Sequence, residues 1–134
     1  MTLYLLDHRH WIDAEYYDTK LIGILSSHSY ALEVIERYSQ LPGFREFKSD
    51  FHMESFEIDL NEKMKKRGII YLITVTQKVD EDEITIAYSL YSNAFIARLM
   101  QGIKWVKLHR NNKIYVSKNE IDELDWKEGF VTIE

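Results

Sequence analysis

Two histidines near the N-terminus are the first candidates for chemistry. His8 and His10 stand two residues apart in an apolar segment, and on a β-strand both imidazoles would project from the same side. With Asp7, Asp13 or Glu15 nearby, they could form a metal site or an acid–base pair. Two imidazoles without a firm third ligand are a weak indication of a metal site. In addition, an internal repeat in the sequence aligns His8 with an apolar residue. We therefore predict that His8 faces the core, and that the chain has no catalytic, cofactor-binding or metal-binding residue.

The rest of the sequence adds no recognisable reaction centre. The chain has no Cys, which excludes disulfide scaffolds, thiolate nucleophiles and Cys-based zinc sites. It contains no nucleophile elbow, zinc-protease, P-loop or dinucleotide-binding phrase. The acidic run from Asp80 to Glu83 lacks the alternating ligands and central Gly of a calcium-binding EF-hand loop. We expect a protein that is not an enzyme and needs no cofactor.

Acidic connections between predicted strands offer a different kind of site. The connection from Trp11 to Thr19 mixes carboxylates with aromatic rings, as protein-binding hot spots do. The run from Asp80 to Glu83, which joins two later predicted strands, is also acidic. The structural alternative is that the rings cover the end of the core and the carboxylates are solvated turn residues. The predicted partner-binding residues are Trp11, Asp13, Glu15, Tyr16, Tyr17, Asp18, Asp80, Glu81, Asp82 and Glu83.

The strands and helices that position these connections form a unit that occurs twice in the sequence. In the first copy, strands at Leu3 to His10 and Lys20 to Ser26 precede a helix that ends near Gln40, and a third strand spans Phe51 to Leu60. Ser26 or Ser27 can cap this helix, and Pro42-Gly43 stops it. Its inward residues, spaced to share one face, are Ala31, Val34, Ile35 and Tyr38.

The second copy repeats the order, with strands at Ile69 to Gln77 and Ile84 to Tyr91, a helix from Asn93 to Gly102 and a strand at Asn112 to Ile121. Its predicted inward residues are Ile96, Leu99, Met100 and Ile103, which aligns Ile96 with Ala31 and Leu90 with Leu25. We predict an α+β fold of duplicated β-β-α-β units, mostly antiparallel, with two helices packed on the sheets. A single domain would comprise repeats 1–60 and 69–124, a connector from Asn61 to Gly68, and a C-terminal clasp over 125–134. The two halves would share one sheet or face each other.

Three phrases resemble those of a known family. KLIG at 20–23 followed by a Ser pair, LPGF at 41–44 and WKEGF at 126–130 are similar to phrases that occur in that order in short, uncharacterised bacterial domains. In those domains the last phrase soon follows a single β-β-α-β unit, whereas here it follows a second, degenerate copy. The resemblance implies a fold and a bacterial setting, and it transfers no functional residue.

Composition and charge complete the functional hypothesis. With 46% hydrophobic and 29% charged residues, the chain is typical of an ordered globular domain. The N-terminal apolar run is too short for a signal peptide or membrane span, so we expect a cytoplasmic protein. The net charge of −5 is compatible with a basic partner, and basic clusters keep nucleic-acid binding only as a minority alternative.

We predict a non-enzymatic protein-binding domain, an immunity or antitoxin-type inhibitor whose acidic, aromatic loop plugs the basic site of a toxin such as a nuclease. The alternative is a small-molecule-sensing module with a cleft between the halves. That cleft would be lined by Tyr4, His8, Tyr71 and Tyr88. The oligomeric state stays open.

Overall fold

Six strands and three α-helices make up the part of the chain that the structure describes. The structure, a computed structural model, describes residues 1–14, 16–107 and 111–131. The first half contains β1 (Thr2–Trp11), β2 (Tyr17–Leu25), α1 (His28–Tyr38), two short 3-10 helices (Phe44–Glu46 and Lys48–Asp50) and β3 (Phe51–Glu57). The helix α2 (Glu62–Arg67) connects it to the second half, which contains β4 (Ile69–Val79), β5 (Asp82–Tyr91), α3 (Ala94–Lys107) and β6 (Asn112–Glu120).

Each half has its own three-stranded antiparallel sheet, β2-β1-β3 in the first and β5-β4-β6 in the second. The pairing registers repeat as well. Leu6 pairs with Met53 in the first sheet, and the aligned residue Ile73 pairs with Val116 in the second. The predicted α+β fold of duplicated β-β-α-β units is confirmed.

The two sheets face each other, which resolves the alternative that the sequence left open. Their inner faces form one apolar cluster, because alternate residues of a strand point to the same side of its sheet. The fully or mostly buried members from the first half are Leu3, Leu5, Ile24 and Leu60, and those from the second half are Ile70, Leu72, Tyr88 and Leu90. One helix covers the outer face of each sheet, so the order of layers is helix, sheet, sheet, helix.

Helix α1 packs as its sequence predicts. Ala31, Val34 and Tyr38 are buried against the outer face of the first sheet, and Ile35 packs beside them. Ser27 is the N-cap, and its hydroxyl accepts a hydrogen bond from the Tyr30 amide at 3.1 Å. Such a cap satisfies one of the amides that the first turn of a helix leaves without a partner.

Helix α3 corrects the sequence prediction by one residue. Leu6 pairs with Gly23 and the aligned Ile73 pairs with Ser89, so the copies are offset by 66 positions in this strand rather than by 65. The same offset pairs Ala31 with Ala97, and both are fully buried.

The side chains predicted to face inward are therefore mostly on the outside. Ile96 is 42% exposed, and Leu99 and Ile103 are similarly accessible. Met100 does pack against the second sheet, and the Gln101 side chain donates to the carbonyl of Ile114 at 3.1 Å. Leu90 lies in the cluster between the sheets, whereas Leu25 lies under α1, so the predicted equivalence of these two residues was also wrong.

The predicted connector between the halves is a short helix, α2. Asn61 caps α2 by accepting a hydrogen bond from the Met64 amide at 2.8 Å, and Gly68 ends it in the left-handed conformation with φ of 64°. Gly adopts that conformation without steric cost. Met64 packs against the cluster between the sheets, which gives this short, basic helix an apolar anchor.

The segment after β6 returns to the first half and covers its open edge. The amides of Asp122 and Asp125 donate to the carbonyls of Ile24 and Ile22, each at 2.8 Å, and thus pair with the edge strand β2. The Asp122 carboxylate accepts from the amide and hydroxyl of Ser26. Pairing of this kind removes free donors and acceptors from a sheet edge. We call residues 121–131 the clasp; it begins before the predicted segment 125–134, whose last three residues lie outside the described residues.

Close contacts with the clasp explain the glycines of two phrases noted in the sequence, KLIG and LPGF. A Cβ at Gly23 would lie 2.7 Å from the carbonyl oxygen of Glu123, and one at Gly43 would lie 2.5 Å from that of Phe130. Phe130 packs edge-on against Phe44, with ring centroids 4.9 Å apart. The clasp can therefore approach closely only because these two positions lack side chains.

Candidate functional site at the hairpin tips

The structure brings the two hairpin tips to the same end of the molecule. The Tyr17 hydroxyl donates to the backbone carbonyl of Thr85, which links β2 to β5. Partial burial raises the pKa of Tyr16, and the charges of Asp18 and Asp82 raise it further, so residues from both hairpins share one electrostatic environment. We call residues 11–14, 16–18 and 80–83 the tip surface.

Apolar side chains stand exposed on this surface. Trp11 is 57% exposed and Ile12 is 60% exposed. The Trp11 ring is supported from one side by Tyr17, with centroids 4.7 Å apart. A large, supported and accessible ring is the kind of side chain that dominates binding energy at protein interfaces. Sequence reasoning missed Ile12, although its position next to Trp11 in a connection of carboxylates and aromatic rings was an available signal.

The carboxylates of the tip surface differ in their surroundings. The Asp13 carboxylate accepts a hydrogen bond from the Tyr16 amide at 2.8 Å, and Asp18 pairs with Lys20. Asp80, Glu81 and Asp82 are exposed around the tight β4–β5 turn, where Asp80 has a φ of 57°. Glu15 lies outside the described residues. The tip surface is therefore acidic, and part of its geometry is held by hydrogen bonds of its own.

Glu83 is held in place by two side-chain hydrogen bonds. Its carboxylate accepts hydrogen bonds from the hydroxyls of Thr76 and Tyr115, the latter at 2.8 Å. These bonds stabilise the anion and lower the pKa of Glu83. Glu83 thus contributes negative charge to the tip surface from a position fixed to the second sheet.

A polar cluster between the sheets lies beneath the tip surface. The Arg9 guanidinium donates to the buried Asp7 carboxylate at 2.9 Å and lies 5.9 Å from the centroid of the Tyr88 ring. Burial raises the pKa of Asp7 although Arg9 and Tyr88 act in the opposite direction. Because Asp7 and Arg9 belong to β1 and Tyr88 to β5, this cluster contributes to holding the two hairpins together.

The two histidines have separate structural environments. His8 is buried, with its ring against Phe44 and Phe51 and its Nε2 atom 3.0 Å from the carbonyl oxygen of Phe47. His10 stacks on Phe47 and its Nδ1 atom lies 2.8 Å from Asp50. Among the described residues, no group of three or more His, Asp or Glu side chains is arranged to hold a metal ion. The prediction that His8 faces the core is confirmed.

The residues named for a cleft between the halves are dispersed. Tyr4 contacts His28 and packs in the cluster under α1, where His8 also contacts Phe44. Tyr71 lines a groove beside α3, and only Tyr88 lies between the sheets. These four side chains therefore do not line a common cavity.

Fold and surface together define the chain as a small duplicated α+β domain with an acidic, aromatic surface at one end. It belongs to the family described as a domain of unknown function, DUF7336, whose model matches residues 1–72, just over half of the chain. The matched part includes the first β-β-α-β unit, α2 and the start of β4. No curated protein and no solved structure matches the chain. None of the helices in the described ranges is long and apolar enough to cross a membrane.

Proposed function

We propose that this chain is a non-enzymatic, protein-binding inhibitor of the immunity or antitoxin type, acting in the bacterial cytoplasm through its tip surface. The observation that carries the proposal is the exposure of Trp11 and Ile12 at the end of the molecule where exposed carboxylates of both hairpins also lie. An apolar anchor surrounded by charge provides affinity through the anchor and orientation through the charges. The partner would be basic, as the active site of a nuclease toxin is.

The charge distribution suggests that the carboxylates control the association rate and that Trp11 controls the dissociation rate. Asp80, Glu81 and Asp82 are exposed at the turn, so their field would speed the encounter with a basic surface and would weaken as salt increases. Trp11, once buried in the partner, would slow dissociation, since most differences in affinity arise in the dissociation rate. The hydrogen bond from Tyr17 to Thr85 holds the two tips in one arrangement before binding, which lowers the entropic cost of association.

The experiment starts with the partner that co-purifies with the chain from its native host. Its affinity for the wild-type chain is then compared with its affinity for Trp11→Ala and for the triple variant Asp80→Asn, Glu81→Gln, Asp82→Asn. We expect Trp11→Ala to weaken binding about tenfold or more and the triple variant mainly to slow association at low salt.

Trp105→Ala is the matched control, because Trp105 is also an exposed tryptophan but lies on α3. It should leave the affinity within about twofold. If Trp11→Ala also leaves the affinity within about twofold, the tip surface is not the interface. If the bound chain leaves the partner's activity unchanged at full occupancy, the protein is a binder but not an inhibitor.

A further inference from the structure

Helix α3 carries a row of large apolar side chains on the face that points away from its sheet. Phe95 is 73% exposed, and Ile96, Leu99 and Ile103 are each roughly half exposed. The repeat supplies an internal comparison, since the 66-residue offset places Ser29, Tyr30, Glu33 and Arg37 of α1 at the equivalent positions. The outer face of α1 is thus mostly polar where that of α3 is apolar. Contiguous exposed apolar surface of this kind marks interaction sites.

The spacing on this face suits a second helix. Ile96, Leu99 and Ile103 follow the three-and-four spacing of residues that interlock with a facing helix. Gly102 lies beside them in the helix interior, and an added Cβ there would have no atom within 4 Å. Nothing within the described chain therefore explains a residue that helix interiors disfavour. A missing side chain on an apolar helix face does allow another backbone to approach closely.

The charge around this face is positive. Arg98, next to Leu99 in the sequence, is exposed on helix α3, and the helix contains no Asp or Glu. At its N-terminal end, Phe95 shares a groove of about 360 Å³ with Met64 and Arg67 of α2. Helix α2 carries three further cations, Lys63, Lys65 and Lys66, and one carboxylate, Glu62, which pairs with Lys65. Two copies of α3 packed together would oppose cation to cation, whereas an acidic helix would place carboxylates beside them.

We propose that the outer face of α3 is a docking site for an acidic amphipathic helix of a partner protein. The apolar ridge of that helix would lie along Ile96, Leu99 and Ile103, with its backbone close to Gly102. Its carboxylates would pair with Arg98 and Arg67, and the groove beside Phe95 would accept one apolar side chain. Helix-in-groove docking of this type uses anchors at three- and four-residue spacing.

This site is separate from the tip surface and does not depend on it. Tyr71, which lines the groove, pairs with Tyr91 at one end of the β4–β5 hairpin, and Val79 pairs with Asp82 at the other. The groove therefore lies at the end of the second sheet opposite the β4–β5 turn. The two surfaces could be occupied at the same time by different parts of one partner or by two partners.

The test uses a fluorescently labelled synthetic helix of about three heptads, with Leu at the a and d positions and Glu at e and g, where like charges keep it from pairing with itself. Its binding to the full chain is followed by fluorescence anisotropy. We expect Leu99→Glu to weaken binding about tenfold or more, because it places a carboxylate in the centre of the face. Leu32→Glu is the matched control, since Leu32 is 50% exposed on α1 and Leu99 is 51% exposed on α3. It should leave binding within about twofold.

Three further results would each overturn the proposal. The first is equal binding of a peptide in which every Glu is replaced by Lys, which would remove the charge argument. The second is self-association of the chain without peptide, abolished by Leu99→Glu in sedimentation experiments, which would make a second copy the occupant. The third is Leu99-dependent binding to vesicles of equal parts phosphatidylglycerol and phosphatidylcholine without peptide binding, which would make the face a lipid contact. Unchanged far-UV circular dichroism of Leu99→Glu ensures that a loss of binding reflects the face itself.

Discussion

Gly102→Ala should stabilise the free protein, because Gly102 lies in the interior of α3 where an added methyl group has no atom within 4 Å. Replacing Gly by Ala inside an exposed helical turn lowers the entropy of the unfolded chain and favours the helix, by about 1 kcal/mol. The unfolding entropy of a 134-residue protein is about 0.28 kcal/mol/K near its midpoint. We therefore expect the Tm to rise by about 3–4 °C.

Gly68→Ala is the matched control, because a Cβ at Gly68 also has nothing within 4 Å but the backbone there has a φ of 64°. The left-handed conformation costs an alanine about 1–2 kcal/mol, so this variant should lower the Tm by about 4–7 °C. Differential scanning calorimetry or circular dichroism measures both. A lower Tm for Gly102→Ala would show that α3 is packed at this position and would refute the assignment of this face to the outside of the molecule.

Two other substitutions test the clasp and the buried histidine. Gly129→Ala would direct a Cβ into the Pro42 carbonyl oxygen, and the backbone there has a φ of 80°. We expect the free energy of unfolding, measured with urea, to fall by at least about 2 kcal/mol. A decrease no larger than that of Gly68→Ala would contradict the close approach. Burial lowers the pKa of His8 in the folded protein below its ordinary value of 6.5. The unfolded chain therefore binds a proton at His8 more readily than the folded protein does. The free energy of unfolding should accordingly increase with pH between the lowered pKa of the folded protein and 6.5. His8→Phe should flatten this dependence in urea midpoints measured between about pH 5 and 7, and an unchanged slope would assign it to other groups.

The repeat was predictable from sequence because the strands alternate between apolar and polar residues and α1 is marked by the residues that begin and end it. Ser27 caps α1 and Pro42-Gly43 follows it, and the alternating pattern of β1 separates the residues facing α1 from those facing the other sheet. The same pattern placed His8 in the core, since its aligned partner Val75 is apolar. Both are buried.

The face of α3 was not predictable because apolar residues occur on both of its sides. A rule that places the largest apolar side chains inside selects Ile96, Leu99 and Ile103, whereas the structure buries Ala97 and packs Met100 and Gln101 against the second sheet. A small residue at the centre of the buried face lets the helix lie close to the sheet. The error of one residue is itself informative, because it identifies the apolar outer face.

The tip surface was predicted as residues but not as an arrangement. Acidic and aromatic residues of both connections were visible in the sequence, yet nothing in their spacing indicated that the Tyr17 hydroxyl would reach Thr85 of the other hairpin. That contact depends on the sheets facing each other, a relation between halves that local patterns do not encode. Whether the surface binds a basic partner stays a prediction.

The clasp imposes an order on folding during synthesis. The residues that pair with β2 and surround Phe44 follow the entire second half in the chain, so the first half emerges from the ribosome with one sheet edge uncovered and part of its aromatic core open to water. Unpaired edges at that stage favour aggregation. A stop codon shortly after β6 should therefore harm the N-terminal unit more than the C-terminal unit, although it removes none of the six strands described above.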